Sequence, residues 1–252
     1  MKVNKPSAGA VDTAEGRPVN VEVWWARVSD ARPELADELD GAEHGRLAAY
    51  ARDEDKARFL LGCAVARRVL GVHLLLPPNQ VKLDRTCPDC GRPHGKVRTE
   101  GMQLSVSHSG DLVAVAFHPS TPVGLDVEVI DPKIDADSLA TVSLAEVETK
   151  ELARYAPAAR ARAFTAYWTR KEAVVKATGD GMRADLRKVI VSAPDQPAAV
   201  QEWRGYDGPV QLVDLEAGSD YAAALAVLAA GELTVHSIDA APLLSSGSAP
   251  RR

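Results

Sequence analysis

Cysteine is scarce. Cys63, Cys87 and Cys90 are the only three in 252 residues, too few for the disulfide framework that staples small secreted domains. Long apolar runs are missing too: none approaches the roughly 20 residues that cross a bilayer. The opening MKVNKPSAGAVDTAEGRPVN lacks the apolar stretch of a secretion signal, so a cytoplasmic protein without membrane contact is expected. Nor is there a surplus of positive charge. Thirty Lys and Arg against 35 Asp and Glu give a formal net charge of -5, which argues against a nucleic-acid partner. What is present is ordinary for a globular chain, with 46% hydrophobic and 26% charged residues. The length suits one large domain or two small ones.

The pattern along the chain runs twice. VEVWWARV (Val21–Val28) has strand character, Pro33–Ala51 and Asp53–Leu70 read as helices, and Gly71 is the expected stop of the second. Short β-prone runs follow at 81–83, 103–107, 112–117 and 123–130. Helical segments then return at 144–155 and 158–178, stopping at Gly179, before β-prone runs at 189–192, 210–215, 221–229 and 233–238. On periodicity alone YAAALAVLA (221–229) fits a buried helix as well as a strand. Gly71 and Gly179 are 108 residues apart, as are Gln103-Leu104 and Gln211-Leu212, and Gly110 and Gly218. This register suggests duplication. The expected fold is α+β: two similar lobes related by a pseudo-two-fold axis, mainly antiparallel sheets with packed helices, and a cleft between them. The expected bounds are a flexible segment 1–18, an N-terminal lobe 19–121, a C-terminal lobe 122–240 carrying a metal site, and a flexible tail 241–252.

Three elements carry candidate chemistry. In GLDVEVI, Asp126 and Glu128 lie two apart on an expected strand and so share a face, away from Leu125 and Val127. Adjacent acids repel unless a cation joins them, and Mg2+ suits such a pair because it takes oxygen ligands and substrate phosphates together. A solvated strand face is the plain alternative for a bare pair. In WTRKEAVVKATGDG (168–181), Glu172 and Lys176 at i and i+4 share a helix face. They read as an ordinary surface pair or as a metal ligand and base beside a phosphate-holding cation. In SVSHSGD (105–111), Ser107 and His108 sit at a strand end where both can donate to a phosphate.

In this order, S-x-SHS, then G-L-D-V-E, then W-x-x-KEA-x-x-K, the three elements resemble the Sfp-type 4'-phosphopantetheinyl transferases. The resemblance implies a monomer of two similar α+β halves that moves the phosphopantetheine arm of coenzyme A to a serine of an acyl or peptidyl carrier protein. The product released is 3',5'-ADP, in the holo-[acyl-carrier-protein] synthase type of reaction. It further implies that Asp126, Glu128 and Glu172 hold Mg2+ (Mn2+ being an alternative), with Glu172 also the base. Lys176 would meet the pyrophosphate, Ser107 and His108 would contact coenzyme A, and Arg46, Arg58 and Lys96 would contribute upstream contacts. Two positions depart from the family pattern: Val97 stands where a Pro is usual, and Phe59 where some members carry a hydroxyl.

Two rival readings remain from the residues. One is a non-catalytic binder of coenzyme A or of a carrier protein, against which the three acids beside a polyanion site argue. The other is a different Mg-dependent phosphotransferase, against which the missing G-x-x-x-x-G-K-[ST] loop and kinase signatures argue. Cys87, Cys90 and His94 have zinc-like spacing but supply only three local ligands, and a local loop with incidental thiols is the expectation.

Overall fold

A computed structural model describes residues 18–87, 89–93 and 95–245. Strand β1 (Val19–Arg27) leads through two short 3-10 turns to helices α1 (Gly41–Ala49) and α2 (Asp53–Leu74). The hairpin β2 (Gln103–Ser109) and β3 (Leu112–His118) completes the first half. The second half runs β4 (Val123–Val129), α3 (Ala136–Ser143), α4 (Glu146–Leu152), α5 (Pro157–Thr178), β5 (Val189–Val191), β6 (Val200–Trp203), β7 (Gln211–Asp214) and β8 (Tyr221–Val227). Strand β9 (Leu233–Asp239) and α6 (Ala241–Ser245) close the described chain.

Two sheets form the centre, with strand orders β2-β3-β1-β9 and β4-β8-β7. All pairings within them are antiparallel except β1 with β9, which is parallel. One apolar layer joins them: Val21, Val23, Ala114 and Ala116 from the first sheet meet Leu125, Val127, Leu225 and Val227 from the second. Helix α2 packs on the first sheet through Leu61, Val65 and Val69. Helix α5 belongs to the cluster of Ala173, Val174 and Ala177 with Ala224 and Ala226 of the second sheet. The architecture is therefore α+β, with the β-hairpins sharing one interior and the long helices outside it.

Each half anchors its long helix by a buried ion pair. Arg67 of α2 reaches Glu43 at 2.7 Å and donates to the carbonyls of Pro78 and Val81. Lys171 of α5 reaches Glu148 at 2.5 Å and donates to the carbonyls of Leu186 and Val189. Glu43 and Glu148 occupy matching third positions of α1 and α4, where each also caps its own helix start.

The register of the repeat differs from the expected one at its first landmark. Helices α2 and α5 are both 22 residues long, and Asp53–Leu74 is offset from Pro157–Thr178 by 104 residues at both ends. Gly71 is therefore inside α2 rather than at its stop, and the counterpart of Gly179 is Leu75. Both cap residues are left-handed, at φ 55 for Leu75 and φ 81 for Gly179. Glycine occupies that conformation freely, whereas leucine pays a steric cost. Leu75 is 90% exposed and packs nothing in return. Leu75→Gly is expected to stabilise the fold by about 1 kcal/mol, read as a higher denaturant midpoint at unchanged slope. A lower midpoint would overturn this account of the α2 end. The hairpin landmarks Gly110 and Gly218 do correspond, each in a turn at positive φ.

Other expected boundaries shift for non-local reasons. Pro33–Ala51 is not one helix: Asp40 accepts the Glu43 amide and starts α1 afresh after the 3-10 turn Pro33–Glu38. Residues 81–83 form no strand, and only the bridge Asp84–Arg98 lies nearby. YAAALAVLA is the central strand β8. The expected C-terminal lobe at 122–240 loses its last strand, because β9 pairs with β1 of the first sheet. The expected flexible tail is helical over Ala241–Ser245, with Leu244 buried; its remaining residues, like 1–17, fall outside the described ones.

Candidate active site

The hairpin β2–β3 brings its outer strand against β4, and side chains make that seam. Ser105, Ser107 and Ser109 alternate along β2, so they share a face. Their Oγ atoms accept the amides of Leu125, Val127 and Val129 at 3.0, 3.2 and 3.1 Å. The edge of β4 is thereby satisfied by hydroxyls rather than by a strand ladder. Beside this seam a cavity of about 390 Å³ opens between the two halves. Its walls include Arg46, Arg58, Lys96, Ser107 and His108 from the first half, and Asp126, Glu128 and Lys176 from the second. Eight of the nine residues singled out from the sequence thus meet in one cavity. Glu172, one helical turn before Lys176 on α5, stands outside its wall.

The acids sit as the strand period demands, with Leu125 and Val127 turned into the interior. Asp126 is only 2% exposed. Its Oδ1 accepts from Lys176 Nζ at 2.6 Å and from Ser107 Oγ at 2.9 Å. Its Oδ2 is buried and has no partner. Glu128 accepts from Ser109 Oγ at 2.7 Å. Burial pushes the Glu128 carboxyl above the usual range, with Asp126 reinforcing the shift. Burial likewise raises Glu172, opposed by Lys176 and reinforced by Asp126. The three acids therefore feel one another's charge. Among the described residues, however, no three His, Cys, Asp or Glu side chains already stand in an arrangement that holds a metal ion.

The cations are held in different ways. Arg46 lies over the Phe59 ring at 5.1 Å, and the aromatic face gives this guanidinium a seat. Arg58 donates to Gly110 O at 2.7 Å and pairs with Asp55 at 2.5 Å. Lys96 bridges the halves by donating to Ala177 O at 2.8 Å and Val123 O at 3.3 Å; burial lowers its pKa to about 8. His108 faces the cavity, and the enclosing walls, followed by Arg58, Lys176 and Arg46, push its pKa below the ordinary histidine value. It is therefore a neutral hydrogen-bonding ring at pH 7. Ser107 lines the cavity as well as the seam. It is buried, and its hydroxyl is already engaged by Asp126, Val127 and Lys176.

Sequence reasoning missed Arg85. It lines the same cavity, reaches Glu43 at 2.8 Å and Cys63 Sγ at 3.4 Å, and leaves a buried Nε–H without a partner. Its only sequence signal was a cation shortly before Gly95-Lys96. Cys63 beside it is an inert buried thiol, pushed up to about 12 by desolvation. Cys87 is buried and Cys90 exposed, while His94 lies outside the described residues.

Comparison with known proteins points the same way. Residues 122–226 match the model of the 4'-phosphopantetheinyl transferase superfamily. The chain is 32% identical to the 4'-phosphopantetheinyl transferase HetI of Nostoc sp., over 79% of this chain and 82% of that protein. It is 29% identical to a phosphopantetheinyl transferase of Thraustochytrium sp., over 71% and 68% of the two chains. It is also 29% identical to the 4'-phosphopantetheinyl transferase psf-1 of Bacillus pumilus, over 64% and 68%.

Proposed function

The chain belongs to the 4'-phosphopantetheinyl transferase superfamily, and from that premise we propose how its own residues perform the transfer. As a member it moves phosphopantetheine from coenzyme A to a carrier protein. The proposed subtype is the Sfp type, one monomeric chain whose halves, divided near residue 122, enclose the site. Support comes from a single cavity walled by both halves of the chain.

Coenzyme A carries a pyrophosphate and a 3'-phosphate, and the chain is net negative, so binding requires local positive charge. Arg46, Arg58, Arg85, Lys96 and Lys176 supply it, and the free Nε–H of Arg85 is a donor waiting for an anion. His108 donates to a phosphate as a neutral ring. Asp126, Glu128 and Glu172 would hold the divalent ion. An all-oxygen donor set with an orphaned Asp126 Oδ2 fits Mg2+, which needs only one or two carboxylates when phosphate and water complete its octahedron. When bound, Mg2+ would neutralise charge on the pyrophosphate oxygens.

The carrier serine oxygen forms a bond to the β-phosphorus while the bridging bond to the α-phosphate breaks, and 3',5'-ADP departs with the electron pair. Lys176 stabilises the negative charge that gathers on the pyrophosphate. Glu172 takes the serine proton. It stands one helical turn before Lys176 on α5, close enough to feel Lys176 and Asp126, and a carboxyl raised by burial is a stronger base near neutral pH.

The observation that carries this reading is Asp126, buried against Lys176 and Ser107 with one oxygen unpartnered. The test is mass spectrometry of an apo carrier protein incubated with the chain, coenzyme A and Mg2+. Gain of one phosphopantetheine on serine is expected. An unchanged carrier mass alongside retained coenzyme A binding would instead mark a non-catalytic binder.

A further inference from the structure

Two of the three seam serines have a second bond that the seam itself does not require. Each accepts a β4 amide, and that alone closes the edge. Ser107 also donates to Asp126, and Ser109 donates to Glu128 Oε2 at 2.7 Å. The repeat is regular. In both pairs the hydroxyl bonds the acid 19 residues on and the amide 20 residues on. Ser105 breaks the pattern, because it accepts the Leu125 amide and faces no acid. The same two-residue period that aligns Asp126 with Glu128 on β4 therefore aligns the hydroxyls on β2.

We propose that Ser109 is a positioning residue, which fixes the orientation of Glu128 toward the divalent cation by donating its hydroxyl to one carboxylate oxygen and anchoring to the Val129 amide. This deepens, and rests on, the reading of Asp126, Glu128 and Glu172 as the cation's carboxylates. The physical reason is that a glutamate has one more rotatable bond than an aspartate. Asp126 is locked by Lys176 and Ser107 together and by burial. Glu128 is half-buried, and among the described residues only Ser109 donates a hydrogen bond to it. Without that donor its carboxylate is free to swing, and the ion loses a preset ligand. Ligand-orienting hydrogen bonds of this kind are worth about 10–100-fold in metal affinity.

Ser105→Ala is the built-in control, since it removes a seam bond but no carboxylate contact. The experiment titrates the full chain with Mn2+ in the presence of coenzyme A, reading bound ion by electron paramagnetic resonance. Thermal unfolding is measured alongside, and the Mg2+ dependence of transfer is followed separately. Ser109→Ala is expected to weaken Mn2+ binding about tenfold and to raise the Mg2+ needed for half-maximal rate by a similar factor. Its unfolding midpoint should change little, because the Val129 amide is solvent-exposed. Ser109→Thr restores the hydroxyl and should recover most of the affinity. Ser105→Ala should lower the unfolding midpoint and leave Mn2+ affinity as it was. Equal Mn2+ affinity in Ser109→Ala and the unaltered chain overturns the positioning role, as does an equal loss in Ser105→Ala. If Glu128→Gln binds Mn2+ as tightly as the unaltered chain, the carboxylate reading itself has failed and the role of Ser109 falls with it.

Discussion

Glu172→Gln is expected to lower kcat for transfer by about 10²–10³-fold, in the range that general-base catalysis contributes, while KM for coenzyme A changes by less than about threefold. The asymmetry comes from position. Arg46, Arg58, Lys96 and Lys176 wall the cavity, and Glu172 does not, so removing its charge leaves the nucleotide's contacts in place. Gln keeps the size and polarity of the side chain. The carboxyl is already pushed toward its neutral form by burial, so folding should be unaffected or slightly favoured. Steady-state rates with purified apo carrier protein, together with a denaturation curve, test both halves. Raising Mg2+ separates the two duties assigned to this acid. Recovery at high Mg2+ marks Glu172 mainly as a ligand, and persistent loss marks it as the base. A rate near that of the unaltered chain removes Glu172 from the mechanism.

How much of this site was legible depended on how local its signals are. Asp126 and Glu128 share a face because of the strand period, and Glu172 and Lys176 because of the helix period; neither needs the rest of the fold to be known. The alternation Ser105-Ser107-Ser109 was equally visible, but its partner was not. Only the approach of β2 to β4 shows that these hydroxyls satisfy backbone amides, and without that contact Ser107 reads as a ligand donor. Arg85 was hidden in a similar way. A loop arginine is indistinguishable from a solvated charge until Glu43 and Cys63 are seen to enclose it. The duplication was sensed through repeated letters, yet the true register of the long helices passes through Leu75, where the expected glycine is absent. Strand β9 was found as a strand but given to the wrong half, because partner choice in a sheet depends on contacts more than 200 residues apart, as between Val19 and Leu233.

Gly124→Ala is expected to destabilise the fold by about 3 kcal/mol or more, at or beyond the upper end of ordinary overpacking. Gly124 is the second residue of the strand that carries both Asp126 and Glu128, and α5 crosses it at van der Waals range. A Cβ there would overlap Ala173 O and Ala177 N and lie 2.9 Å from Ala177 Cα. All three are backbone atoms of a helix, so no side chain can swing aside, and the helix itself must move. That helix holds Glu172 and Lys176, and its last turn receives Lys96 through Ala177 O. A methyl group at position 124 therefore acts on both sides of the site at once. Transfer should fall with stability, and the Lys176–Asp126 contact at 2.6 Å should open. Gly45→Ala is the matched comparison. Gly45 lies within α1 with nothing near its Cβ position, so the same substitution there should stabilise by up to about 1 kcal/mol. Opposite signs for one chemical change would trace the effect to the α5–β4 crossing. Denaturant midpoints for both variants decide it, and a Gly124→Ala protein as stable as the unaltered chain would mean that the helix and strand are not packed this closely.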